Sequence, residues 1–391
     1  MNVRLEYDLT LAPSTRVDEI VGQVRKGLLA HRVDPGADLG MSYRSGTGET
    51  GTTVALSVDM DLEAFGFDVR GAAGLAAVLS GTSFRDPGIR GITLSGFGIS
   101  RRTPYFPGPR LGLDLLGPGN PEPPWLSVPV PKSVAGRSWA RVARSLVGSG
   151  VRVLTDLSLF LTDEQVAARA RAVADAVGDG PAVALFLNAT GRLEYASRLA
   201  ERVSTLQPSH PRVVMGLRVC PASMGFSVLE YLRSWEVPLF AYTLSTYPSG
   251  RMNWSQAAYA AMVNCIGADV VNVGLLSVSA FREGTLYETM MPLLNGGTEG
   301  RASLPALTGG VEPRVAYEYT SALHDPFLLH TMTPVFRGGT EHKDISRRVK
   351  AILEAVEAAR GAADVADLFA GRSPRIRNWQ ALEEADPPGP S

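Results

Sequence analysis

Two rhythms of apolar and polar positions divide the chain. Residues 3–11, VRLEYDLTL, alternate as a half-buried strand does, and residues 17–31, VDEIVGQVRKGLLAH, carry apolar side chains at helical spacing. Alternation returns in TTVALSVDM (52–60), followed by a short helical run, LAAVLSG (75–81), and a strand, IRGITLSGFGI (89–99). This order predicts an α+β module with an antiparallel sheet. Prolines and glycines then crowd TPYFPGPRLGLDLLGPGNPEPPW (103–125) and mark a boundary, placed after residue 122.

From Leu126 the rhythm changes to short apolar runs separated by longer helical patterns. The runs are residues 126–132, 151–158, 182–189, 212–219, 238–244, 268–274, 303–310 and 328–336. Helices are predicted near 139–147, 162–177, 192–203, 226–234, 255–266, 286–294, 314–323 and 345–360. Continuous apolar strands that alternate with helices imply parallel strands buried on both faces. Eight such units predict a closed (β/α)8 barrel, so the class is α/β, with the barrel over residues 123–370. Residues 371–391 lack a core pattern, end in Pro, Gly and Ser, and read as a mobile tail.

Composition narrows the partners. With 38 basic and 39 acidic side chains, no charge imbalance points to nucleic acid or to a membrane surface. Apolar stretches fall short of the roughly 20 residues that cross a bilayer. The start, MNVRLEYDLT, reads as a strand rather than a leader, and Cys220 and Cys265 lack metal-type spacing, so the expectation is a reducing, cytoplasmic setting without a cofactor.

Barrel enzymes place their chemistry at the C-terminal ends of the strands. The positions so marked are Lys132, 155–158, Asn188, Arg218, 242–246, 272–279, 308–310 and 336–340. TPVFRGGTEHKD (333–344) reads as a strand end, a Gly338-Gly339 pair and a helix start, a geometry that suits an oxyanion. A second pair, Gly309-Gly310, closes strand seven, and the last two strands are where barrels commonly bind phosphate.

These segments carry a resemblance. PVPKSVAGRSW (129–139), SGVRVLTD (149–156), LFLNATG (185–191), LPALTGG (304–310) and VFRGGT (335–340) resemble motifs of the large subunit of ribulose-1,5-bisphosphate carboxylase (RuBisCO), and more closely of its RuBisCO-like relatives. RSGTGETGTT (44–53) looks like the family's N-terminal loop. The resemblance implies a ferredoxin-like N-terminal domain (1–122) before the barrel, and a homodimer in which one subunit's N-terminal domain covers the other's barrel mouth.

The departures redirect the function. In the carboxylases a carbamylated lysine, an aspartate and a glutamate hold magnesium; those positions align with Thr155, Leu157 and Ser158. Asp156 replaces a residue that is not a ligand. Magnesium needs anionic oxygens, so no metal site is expected. The family's proton-abstracting lysine aligns with Val130, its His-Arg pair with Tyr242-Thr243, its strand-six histidine with Asn272, and its loop-six lysine with Ser279, Arg282 lying nearby. The glutamate contributed across the dimer aligns with Arg44.

What remains suggests altered chemistry. Lys132 and Asp156 are the candidate proton carriers, with Asn188 and Arg282 as further catalytic candidates. The anion-binding candidates are Thr308, Gly309, Gly310, Arg337, Gly338, Gly339 and Thr340. Arg337 either grips the anion or plugs the site, and Lys132 and Asn188 have equally good structural readings. His330 reads as structural, and His342 as a loop residue within reach of an anion. The expected function is metal-independent enolisation, isomerisation or a related proton transfer on a small phosphorylated or carboxylated substrate; the alternative is a non-catalytic scaffold or binding protein.

Overall fold

The computed structural model describes residues 2–48, 51–67, 71–72, 74–76, 84, 86–99, 106–117, 123–130, 136–158, 161–178, 180–242, 252–275, 290, 293–294, 301–323, 325–337 and 340–361. Strands β1 (Asn2–Leu11), β2 (Gly40–Gly48), β3 (Gly51–Asp61) and β4 (Ile89–Ile99) form an antiparallel ferredoxin-like sheet in the order β4-β1-β3-β2. The alternation of β1 buries Val3, Leu5, Tyr7, Leu9 and Leu11 and exposes Arg4, Glu6 and Asp8. Helix Val17–Leu29 adds Ile20, Val24 and Leu28, spaced one turn apart, to the same core. Each such side chain contributes about 1.5–3 kcal/mol when fully buried.

Strands β5 (Trp125–Val130), β6 (Val153–Asp156), β7 (Val183–Asn188), β8 (Val213–Val219) and β9 (Leu239–Ala241) are followed by a short β10 (Met252–Trp254). Then come β11 (Val270–Leu275), β12 (Leu304–Thr308) and β13 (Leu328–His330). All of these but β10 close a parallel barrel, β13 pairing back onto β5 from Leu328–Trp125 to His330–Ser127. Helix signals act locally. Thr162 and Gln165 form a reciprocal capping box at the start of helix Asp163–Val177, which buries Val166, Ala170, Val173 and Val177.

Within each barrel strand the two faces differ. Trp125, Val153, Ala184, Phe186, Phe240, Val270, Leu304, Ala306 and Leu328 pack together inside the barrel, whereas Leu154, Leu185, Leu217 and Leu329 join the cluster shared with the helices. Phe186 and Phe240 meet edge to face at 5.4 Å. Gly216 makes room for them, since a Cβ there would sit 2.6 Å from the Phe186 ring.

The N-terminal end of the barrel is plugged by Leu115 and Leu116 from the connector. Asp269, buried at the start of β11, accepts hydrogen bonds from the backbone N–H groups of Leu111 (2.5 Å), Gly112 (3.0 Å) and Leu239 (2.9 Å). Gly112 has φ +54°, and a side chain there would run into the Ala302 carbonyl.

Three expectations change. The segment 44–53 is not simply a loop, because β2 runs to Gly48 and β3 starts at Gly51. The unforeseen β10 pairs in parallel with β4, joining the barrel half of the chain to the N-terminal sheet. Strand eight ends at His330, not 336, and Thr333–Phe336 is one turn of helix. Pro334 explains that switch: it lacks the N–H a strand pairs with and has a φ suited to a first helical turn. The Gly338-Gly339 pair therefore follows a helix rather than closing the strand, and both glycines lie outside the described residues.

Candidate functional site: the C-terminal mouth of the barrel

The alternation that turns Val153, Phe186 and Gly216 inward also turns inward Thr155, Asn188 and Arg218. The same parity brings in Ser127, Tyr242, Asn272, Thr308 and His330. These side chains form a polar tier above the aromatic floor, where strand ends in barrels carry function.

The tier is linked around its rim. The Asn188 amide donates to the Ser158 carbonyl (2.9 Å) and accepts from the Thr190 N–H (3.1 Å). The Thr190 hydroxyl is hydrogen-bonded to the Tyr242 hydroxyl at 3.0 Å. On the opposite side Thr308 Oγ1 donates to Asn272 Oδ1 (2.5 Å), which also accepts from the Gly274 N–H (2.7 Å). Ser127 Oγ and His330 Nδ1 are hydrogen-bonded at 2.8 Å, far apart in sequence but adjacent across β5 and β13.

Two members have buried polar atoms without a partner among the described residues: Thr155 Oγ1 and Arg218 Nε. Arg218, only 8% exposed, lies with its guanidinium 3.7 Å from the centre of the Tyr242 ring. Burial lowers its pKa from the usual arginine value, while Tyr242, Cys220 and Asp156 pull it back up. Among the described residues no carboxylate lies inward in the tier. Burial, with the Arg218 cation nearby, pushes the His330 imidazole down to about 3, so it is neutral near pH 7.

The residues singled out from the sequence are dispersed. Lys132, Arg282, Gly338 and Gly339 lie outside the described residues. Asp156 is buried, but strand parity places it on the helix-facing side of β6; its Oδ1 accepts from the N–H (2.8 Å) and hydroxyl (2.6 Å) of Ser158. Asn188 and Thr308 do face the mouth. The Gly309 N–H is bonded to the His330 carbonyl (3.3 Å), and its φ of +141° requires glycine, whereas a side chain on Gly310 would meet open space. Arg337 is paired with Glu312 at 2.6 Å near the surface, and Thr340 is exposed. His342 opens helix His342–Gly361 and bonds the Ser145 hydroxyl (2.8 Å), a tie between helices rather than a loop contact.

The strand-end rule marked Arg218, Tyr242 and Asn272, but family motifs drew the weight to Lys132 and Asp156. Ser127 and His330 carried no motif; their signal is the register of β13 on β5. The described side chains of this tier are hydroxyls, amides, an imidazole and a guanidinium, whereas a magnesium ion of the carboxylase type needs anionic oxygens. Two surface hollows, of about 450 and 480 Å³, lie elsewhere: between helices 163–177 and 193–206, and on the N-terminal sheet beside Glu6, Tyr43 and Arg44.

No family model matches the chain, and no curated protein matches it. Solved structures do. The octameric RuBisCO of Pyrococcus horikoshii superposes with a TM-score of 0.78 at 17% identity, covering 99% of this chain and 94% of that one. A RuBisCO-like protein from Burkholderia fungorum gives 0.75 at 17% identity, covering 97% and 99%. One from Alicyclobacillus acidocaldarius gives 0.70 at 18%, again covering 97% and 99%. The chain therefore has the fold of RuBisCO large subunits and RuBisCO-like proteins.

Proposed function

We propose that the protein is a RuBisCO-like enzyme without carboxylase activity, catalysing a metal-independent enolisation, isomerisation or related proton transfer on a small phosphorylated or carboxylated substrate. The observation that carries this reading is the polar tier at the barrel mouth, which leaves Thr155 Oγ1 and Arg218 Nε buried without partners among the described residues. Such atoms cost stability, so a mouth kept polar is better explained by a ligand than by packing.

The chemistry divides among few groups. An enolate needs positive potential where its oxygen develops, and the Arg218 cation offers it in a buried setting where charge acts strongly. His330, with a pKa of about 3, is a poor base near neutral pH, because an effective base titrates near the working pH. Proton transfer is therefore assigned to Lys132 at the end of the β5 segment. Thr308 lines the β12 side as a further substrate contact. A homodimer is the expected assembly; RuBisCOs described as dimeric and octameric share the fold.

The non-catalytic alternative draws on one fact: the one described histidine of the tier is held neutral. A single experiment separates the two readings. Ribulose 1,5-bisphosphate, dihydroxyacetone phosphate and pyruvate are incubated with the protein in D2O containing EDTA, and deuterium incorporation is followed by NMR. Exchange on at least one compound, lost in Lys132→Met, is the expected result. Exchange that requires magnesium, or none on any compound, would overturn the enzymatic reading.

A further inference from the structure

Arg218 stands apart among the buried cations of this chain. Arg198 and Arg202, both more exposed, bind the buried Asp163 at 3.1 and 2.8 Å. Arg218 is more buried than either and forms no ion pair among the described residues. The nearest acidic influence is Asp156, which lies on the other face of β6 with Oδ1 engaged by Ser158 and Oδ2 without a partner among the described residues.

The stacking on Tyr242 matters for what Arg218 can still do. A guanidinium that lies on an aromatic ring uses its π face and keeps its N–H donors in the plane, directed sideways as a fork. Tyr242 is itself fixed by its bond to Thr190, so the platform spans the ends of β7, β8 and β9. Nε has no partner among the described residues, and no hydrogen bond among them uses the rest of the fork, which suits a bidentate oxyanion. On the opposite side of the mouth, the Gly309 N–H is already bonded and Arg337 is paired with Glu312.

We propose that Arg218 is the anion anchor of the barrel mouth: its guanidinium, held on Tyr242, takes the carboxylate or phosphate of the substrate on the β7–β8–β9 side, rather than at the glycine turn after β12. This rests on reading the mouth as a ligand site. It further specifies the substrate as one that presents a terminal oxyanion to a planar fork, with its remainder toward β5. Burial first, and the Arg218 cation second, hold His330 neutral, so among the described residues of the tier Arg218 is the group that carries positive charge to an anion.

The test is calorimetric titration of the full-length protein with inorganic phosphate and with malonate, alongside thermal melts of the ligand-free proteins. For Arg218→Met, affinity for the anion that binds is expected to fall roughly tenfold to a hundredfold, with partial recovery in Arg218→Lys. Arg337→Met is expected to stay within about twofold of wild type, because rim charges contribute little. Ligand-free Arg218→Met is expected to melt at or above the wild-type temperature, since an uncompensated buried charge has been removed. Loss of binding in Arg337→Met but not in Arg218→Met would overturn the placement while leaving the ligand-site reading intact. A sharp drop in the melting temperature of ligand-free Arg218→Met would mark Arg218 as structural and also overturn the placement. Failure of wild type to bind either probe would sink both.

Discussion

The two ends of the barrel follow opposite rules. At the N-terminal end the buried Asp269 receives three backbone hydrogen bonds, and Leu115 and Leu116 seal the opening. At the C-terminal end Arg218 is 8% exposed, against 1% for Asp269, and has no ion-pair partner among the described residues, where the Thr155 hydroxyl also has no hydrogen-bond partner. Both ends are built from the same eight strands, so the fold does not dictate the difference. Asp269 with its three donors serves stability, and Arg218 is held for a guest.

The contrast can be broken most forcefully at Asp269. Asp269→Ala leaves three backbone donors without an acceptor and is expected to cost roughly 3–5 kcal/mol in urea unfolding. A loss below about 1 kcal/mol would mean that water replaces the carboxylate and that the sealed end is not sealed.

A middle-sized effect is expected at His330. Its folded pKa, about 3, lies below the unfolded value near 6.5, so between those limits the unfolded chain binds a proton that the folded chain does not. Stability therefore falls as pH drops from about 6.5 toward 3, by up to about 1.4 kcal/mol per unit. Urea midpoints of wild type and His330→Asn between pH 5 and 6.5, above most carboxylate titrations, are expected to diverge, with wild type steeper. Parallel curves would mean that the imidazole is solvated.

The smallest effect belongs to Thr155. Thr155→Val keeps the shape and removes an unpartnered hydroxyl, so stability is expected to hold or to rise by as much as about 1 kcal/mol. A clear loss in the urea midpoint would reveal a hydrogen bond at that position and weaken the contrast between the two ends.

Much of the architecture was legible because its signals are local. Apolar runs separated by helical patterns marked all eight barrel strands, and the alternation of β1 marked its buried face. The misses depend on distant partners. Met252–Trp254 has only three residues and forms a strand because the edge of β4 is available to it. Gly40–Gly48, rich in glycine and polar residues, is held by pairing with β3. Strand eight was drawn too long because Val335 and Phe336 are apolar in a helix as in a strand. At the site, strand ends were marked correctly, but which of Thr155 and Asp156 faces inward was hidden. Strands buried on both faces show no period of two, so parity must come from the packed barrel. That Arg218 lacks a counter-ion is a fact of three dimensions with no trace in the order of residues.

The pairing of β10 with β4 has a last consequence. The N-terminal sheet is finished by a strand from far downstream, anchored further by Ser255, whose N–H donates to the Leu94 carbonyl and whose hydroxyl donates to the Ser95 carbonyl. A protease that severs the connector would therefore release neither half: the two fragments are expected to co-elute, interlocked like the halves of a split protein that reconstitutes itself.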